Sequence, residues 1–180
     1  MDFINCVQGR RSIRKYKTQI IDRDKIEKIV KTASFSPSWK NTQVVRYILV
    51  EDRDKLNYIA ENCLLGFENN SPIIKNAPAL ILVMVIAGRS GYERDGSFST
   101  GKEDRWEVFD AGIATQTLCL AAYNEGLGTV IMGYFDESEV SKVVNLPQGQ
   151  KLTAMVAIGI ADENPEMPKR KSVEDLLTFG

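Results

Sequence analysis

Nine consecutive apolar residues, Ala79 to Ala87 (ALILVMVIA), offer water no polar side chain at any position. A helix needs about 20 such residues to cross a bilayer, so this run is too short to span one. It reads instead as a β-strand covered on both faces. Such a strand belongs in the middle of a sheet, with a layer of other structure on each side. A second long apolar run, Leu152 to Ala161, predicts a strand of the same kind, and Tyr47–Glu51 and Gly128–Gly133 predict shorter ones. The chain has 180 residues, enough for one domain with a sizeable core.

The material for the covering layers is helical in period. Asp2 can cap a short helix that places Phe3, Cys6 and Val7 on one side. Asp22 opens a second helix with Ile26, Ile29, Val30 and Ala33 on one face, which should stop before Pro37. Leu56, Ile59, Ala60 and Cys63 mark a third, and Asn69 to Pro72 reads as a break. Thr100 and Glu103 have capping-box spacing ahead of a helix that runs to about Glu125, with Gly126 as its stop. Within it AGIATQTLCLAA, Ala111 to Ala122, has no clearly wet face. Either a second subunit covers one side, or a sheet and flanking helices do. Asp136 and Glu139 cap a last helix carrying Val140, Val143 and Val144. The glycine-rich stretch between Gly88 and Lys102 reads as a mobile surface loop, and 162–180, interrupted by Pro165 and Pro168, as a C-terminal arm. No internal repeat is visible. The whole, 1–180, reads as a single α+β domain.

Charge narrows the function. Acidic and basic residues number 24 and 23 and the net charge is −1, so no global field holds this protein on nucleic acid or anionic lipid. The start of the chain has no apolar signal segment, and a cytoplasmic setting is expected. There is no histidine, which argues against zinc chemistry and against Ser-His or Cys-His nucleophiles; no metal site is expected. Cys6, Cys63 and Cys119 are odd in number and set among apolar residues, as reduced core thiols would be. Against this balance GRRSIRKY, Gly9 to Tyr16, concentrates Arg10, Arg11, Arg14 and Lys15. Taken alone it is a solvated face or an anion site. Arginine forks with a serine donor suit a phosphate monoester, and a second basic run at Lys169, Arg170 and Lys171 could close the same site.

Four segments in order resemble the FMN-dependent nitroreductases. Arg10-Arg11-Ser12-x-Arg14 resembles that family's N-terminal phosphate motif, and SPSWKNTQ, Ser36 to Gln43, its Pro-Ser-x-x-Asn-x-Gln loop. AAYNEGLGTVIMG, Ala121 to Gly133, resembles its Gly-Leu-Gly turn and the strand beside the flavin, and PKRKSVEDLL, Pro168 to Leu177, its basic C-terminal segment. Two departures touch the pocket. The family commonly continues Gln-Pro-Trp where this chain has Gln43-Val44-Val45, and it has a small residue where this chain has Trp39.

The resemblance implies a nitroreductase-like fold with a mostly antiparallel central sheet flanked by helices, in a homodimer that exchanges C-terminal arms. It implies an FMN site made by Arg10, Arg11, Ser12, Arg14, Pro37, Ser38, Asn41, Gln43, Ile131, Met132, Gly133, Lys169, Arg170 and Lys171. Trp39, Lys40, Tyr92 and Phe98 would edge the substrate pocket, although ordinary packing serves equally for the neighbouring Trp106. No protein side chain is expected to be catalytic in its own right, with Arg14 as a redox tuner. The implied reaction is ping-pong transfer from NAD(P)H to a nitroaromatic, quinone or activated alkene. No glycine-rich dinucleotide motif is present, so the nicotinamide is a visiting substrate. Two rivals remain: another FMN chemistry such as dehalogenation or flavin reduction, and a non-enzymatic dimeric binding module.

Overall fold

The computed structural model describes residues 2–180. Strands β1 (Val45–Val50), β2 (Ala79–Ile86), β3 (Gly128–Met132) and β4 (Gln150–Gly159) form one sheet in the order β1-β2-β4-β3. Every pair in it is antiparallel. The two long apolar runs are therefore the two interior strands, and β2 is buried from Ala79 to Val85. Along a strand paired on both sides and covered on both faces an unpaired polar side chain is costly, which is why neither run alternates; the hydroxyl of Thr153 in β4 donates to Val83 O.

Alternate residues of β2 feed two separate cores. Leu80, Leu82 and Met84 face helices α3 (Arg53–Asn62), α4 (Ser71–Asn76) and α6 (Glu137–Val144), whose Leu56, Ile74 and Val140 are fully buried. Ile81, Val83 and Val85 face α2 (Arg23–Ala33) and α5 (Arg105–Asn124), which contribute Ile29, Ala33, Leu118 and Ala122. Carboxylates of Asp2, Asp22, Asp52 and Asp136 accept backbone amides at the starts of α1 (Phe3–Gly9), α2, α3 and α6.

The fold differs from the sequence expectation in four places. Only Cys6 of α1 is buried, while Phe3 and Val7 face solvent. The break expected at Asn69–Pro72 is the start of α4, because a proline in the first turn sacrifices no intrahelical bond. The capping box at Thr100 is not formed. Its hydroxyl accepts from Trp106 Nε1, Glu103 is left-handed at φ 55°, and α5 begins two residues later. The segment between Gly88 and Lys102 is folded on itself, with Glu93 N–H donating to Ser97 O and Ser99 N–H to Gly91 O.

Helix α5 is buried on the side that meets the sheet and α2. Its other side carries Val108 and Phe109, each 57% exposed, with Gly112 and Gln116. Among the described residues nothing covers this stripe. Beyond β4 the polypeptide crosses the basic segment, where Asp162 N–H donates to Lys15 O, and from Glu166 to Gly180 every residue is exposed, including the single turn α7 (Val173–Leu176).

Candidate functional site

The basic octapeptide is tied to the start of β3 and then crosses to the chain leaving β4, where Tyr16 bridges Ala161. Ser12 bridges Thr129 in parallel, Ile13 N–H donates to Thr129 O, and Lys17 N–H donates to Ile160 O. The Tyr16 hydroxyl, deeply buried and pushed up in pKa by that burial, is held against the carbonyls of Ile13 and Ala157. Gly128 makes room for this strand: a Cβ there would lie 2.6 Å from Ile13 Cγ1. The glycine permits a close approach, but of protein rather than ligand.

Main-chain fixation leaves the cations free. Arg11 and Arg14 reach only nearby carbonyls, and among the described residues Arg10, Arg11 and Arg14 have no carboxylate partner. Glu163 instead accepts the backbone amides of Arg14 and Lys15. Arg10 lies close enough to Cys119 for its charge, with the Thr129 hydroxyl, to oppose the upward push of burial on that thiol. At the other end of β3, Ile131 is half exposed, Met132 is buried, and Gly133 has open space where a side chain would stand. The structure thus brings Ser12, with Arg10 and Arg11 before it, to the start of the strand that leads through Ile131 and Met132 to Gly133, and sets Arg14 beside Glu163. Lys169, Arg170 and Lys171 are exposed and form no ion pair among the described residues.

Residues Ser36 to Gln43 stand at the opposite edge of the sheet, on the approach to β1. Trp39–Asn41 form one 3₁₀ turn, and Lys40, Asn41 and Gln43 are left-handed at φ 46°, 54° and 48°. Each such non-glycine residue costs on the order of 1 kcal/mol or more, so something must hold the turn. Gln43 N–H donates to Ser38 Oγ at 2.9 Å, closing the turn on itself. Trp39 N–H donates to the Asp110 carboxylate at 3.0–3.1 Å, and Ser36 Oγ meets Thr117 Oγ1 at 2.8 Å. The side-chain amides of Asn41 and Gln43 are exposed and make no hydrogen bond among the described residues.

Ser36, Pro37, Ser38 and Gln43 also line a cavity of about 440 Å³ between α2, β1 and α5. Its walls include Tyr47, whose buried hydroxyl lacks a partner and whose pKa burial pushes up to about 12. Trp39 tilts against Trp106 with ring centroids 4.7 Å apart, and Trp106 meets Phe109 edge-on at 5.4 Å. Tyr92 packs on Phe98 at 4.9 Å, and Lys40 pairs with Glu93 at 2.9 Å. The four residues expected at the pocket edge are therefore joined to the loop: Trp39 and Lys40 by sequence, and Tyr92 and Phe98 through the turn that holds Glu93.

The two groups of ligand-type residues do not meet within one chain. β1 and β3 are separated by three strand spacings, roughly 15 Å. Sequence reasoning missed Asp110, which holds the loop. It stands one residue before the apolar segment that draws the eye, and its signal was a charged residue in helical register with Ala114 and Leu118 on the buried face.

Comparison with known proteins identifies the family. The nitroreductase family profile matches residues 7–72 and 67–160. A protein of Archaeoglobus fulgidus named "Putative NADH dehydrogenase/NAD(P)H nitroreductase" is 31% identical over 160 residues, covering 87% of this chain and 83% of its own. An iodotyrosine deiodinase of Nematostella vectensis is 26% identical across 99% of this chain and 75% of its own. The solved structure of an FMN-dependent nitroreductase from Clostridium difficile superposes with a TM-score of 0.71 at 26% identity, over 96% of this chain and 94% of that one. The match to the family spans nearly the whole of the sheet and both helical layers, and on that ground the chain belongs to the nitroreductase family.

Proposed function

We propose that this protein is an NAD(P)H-dependent flavin oxidoreductase that binds FMN between two copies of the chain and passes reducing equivalents to a nitroaromatic, quinone or activated alkene. The observation that carries the reading is the set of arginine forks that have no carboxylate partner among the described residues, on a segment fastened to the sheet through its main chain. Such donors suit a phosphate monoester. The donor set fits FMN at its other end too: Gly133 offers open backbone, and the free amides of Asn41 and Gln43 match a ring edge of alternating donors and acceptors.

In this reading Arg10, Arg11 and Ser12 hold the phosphate, joined by the Lys169–Lys171 run. Arg14, further along the strand, stabilises the negative charge that reduction places on the ring. Ile131 and the backbone of Met132 and Gly133 lie along one side, and Pro37, Ser38, Asn41 and Gln43 of the second copy approach from the other. The separation of the two groups in one chain supports a homodimer, as do the uncovered stripe on α5 and the arm, exposed from Glu166 to Gly180. Trp39 and Lys40, with Tyr92 and Phe98 behind them, would border the acceptor. Bound FMN supplies the hydride chemistry, while the protein supplies position and charge. Donor and acceptor use one face in turn, so the kinetics should be ping-pong.

The purified protein should be yellow, release FMN on denaturation, and lose its visible absorbance on adding NADH or NADPH. A colourless protein that takes up no FMN would refute the proposal. A dehalogenating activity is the second reading, favoured by the similarity to iodotyrosine deiodinase. Turnover of a halogenated tyrosine in preference to nitroaromatics and quinones would select it.

A further inference from the structure

Helix α5 buries two carboxylates, Glu107 and Asp110, each 2% exposed. Glu107 has a cation, Lys151 Nζ at 3.0 Å, as well as the Gly88 amide. Asp110 has none among the described residues. Its oxygens accept only from Trp39 N–H, at 3.1 and 3.0 Å, and from the Ser90 hydroxyl, at 2.7 Å. A buried carboxylate without a counter-ion is expensive, so these few donors carry unusual weight.

The choice of donors is informative. The Trp39 amide opens the 3₁₀ turn, and Ser90 is a fully buried residue of the neighbouring segment that reaches back to Lys40 through Glu93. One carboxylate therefore ties together both loops beside β1. The turn's internal bonds, Asn41 N–H to Ser38 O, Thr42 N–H to Trp39 O and Gln43 N–H to Ser38 Oγ, close it without attaching it to the body. The other ties are the Ser36–Thr117 hydroxyl pair at the loop's entrance, the packing of Trp39 on Trp106, the half-exposed Lys40–Glu93 pair and, at the exit, the Arg46 guanidinium donating to Gln43 O at 2.8 Å. Three left-handed non-glycine residues would relax if the turn were released.

We infer that Asp110 is a positioning residue whose carboxylate latches the strained turn 38–43 onto α5 and so fixes where Asn41 and Gln43 present their amides. The consequence for FMN rests on the function proposed above, whereas the latch itself does not. Asp110→Asn keeps the shape and replaces one acceptor oxygen by an amino group that must face a donor. Two readouts on the full chain separate the claims. In the FMN-free protein, tryptic cleavage after Lys40 should rise about tenfold, while cleavage in the exposed Lys169–Lys171 run stays unchanged. The Kd for FMN, read by quenching of flavin fluorescence, should weaken about tenfold. Ser90→Ala removes one donor and leaves the other, and should move both readouts about threefold.

Unchanged cleavage after Lys40 would overturn the latch, and so would a rise shared equally by turn and tail, which marks general loosening. A turn that opens while the Kd for FMN stays constant would overturn the positioning role. If Asp110→Asn does not fold, Ser90→Ala decides by the same readouts, no change counting against the inference. A wild-type protein that fails to bind FMN would defeat the flavin reading and leave the cleavage test of the latch standing.

Discussion

The two edges of the sheet hold their ligand-type residues by opposite means. At β3 the basic strand is fastened through its main chain and through buried Ile13 and Tyr16, so the arginine side chains carry none of the fastening. At β1 the loop is strained in its main chain and fastened through side chains, above all Asp110. Substitutions at the first edge should therefore change binding without changing shape. At the second edge, shape and binding should change together.

The largest effect that could break this contrast is on flavin retention. Arg10→Ala should weaken FMN binding by about 1.5–3 kcal/mol, the range for a hydrogen bond to a charged group, or roughly 10- to 150-fold in Kd. Denaturant unfolding of the FMN-free protein should move by no more than about 0.5 kcal/mol. A stability loss as large as the binding loss would show that Arg10 holds the fold.

Gly128→Ala attacks the main-chain fastening instead. Its new Cβ would stand 2.6–3.0 Å from three atoms of Ile13. Pushing the strand off β3 should cost about 1–3 kcal/mol of stability, read by denaturant unfolding, and should weaken FMN binding in parallel. Unchanged stability would mean that the strand docks more loosely than its hydrogen bonds imply.

Arg14→Gln sharpens the contrast within the basic strand. Unit charges some 5 Å apart interact by roughly 3 kcal/mol at an effective dielectric of about 20. Solvent screening at this exposed side chain leaves about 1–2 kcal/mol. For a two-electron couple that lowers the flavin midpoint potential by about 20–45 mV. Spectroelectrochemistry at full FMN occupancy checks it, and an unchanged potential reduces Arg14 to another phosphate ligand.

The smallest effect belongs to Lys40→Ala. The Lys40–Glu93 pair joins side chains that are 55% and 46% exposed, so its loss should leave the denaturant midpoint almost unchanged, and all the more so at high salt. A marked fall in that midpoint would shift the credit for holding the loop from Asp110 to the ion pair.

What the sequence revealed follows the same division. The interior strands and the helices facing them were legible because burial on both faces, or on one helical face, dictates apolar periods directly. The octapeptide and SPSWKNTQ stood out as charge and as motif, but neither announced how it is held. α4 was hidden because Pro72, read locally, is a breaker, and only its place in a first turn makes it harmless. The box at Thr100 and Glu103 had the right spacing, yet Thr100 serves Trp106 instead. Asp110 was invisible because a lone carboxylate beside an apolar run looks like a solvated charge until the loop that donates to it is folded over it.

The central claim is that one site takes its basic strand from one chain and its loop from another, and mixed dimers test it most directly. One chain would carry Arg10→Ala with Arg14→Ala, and the other Asn41→Ala with Gln43→Ala, with different affinity tags so that only the mixed pair is isolated. In each mixed dimer the intact basic strand of the second chain faces the intact loop of the first. The account predicts one tightly bound FMN per mixed dimer, while either variant paired with itself holds FMN weakly. Mixed dimers that bind FMN no better than the variants alone would place both halves of the site in the same chain and contradict the claim.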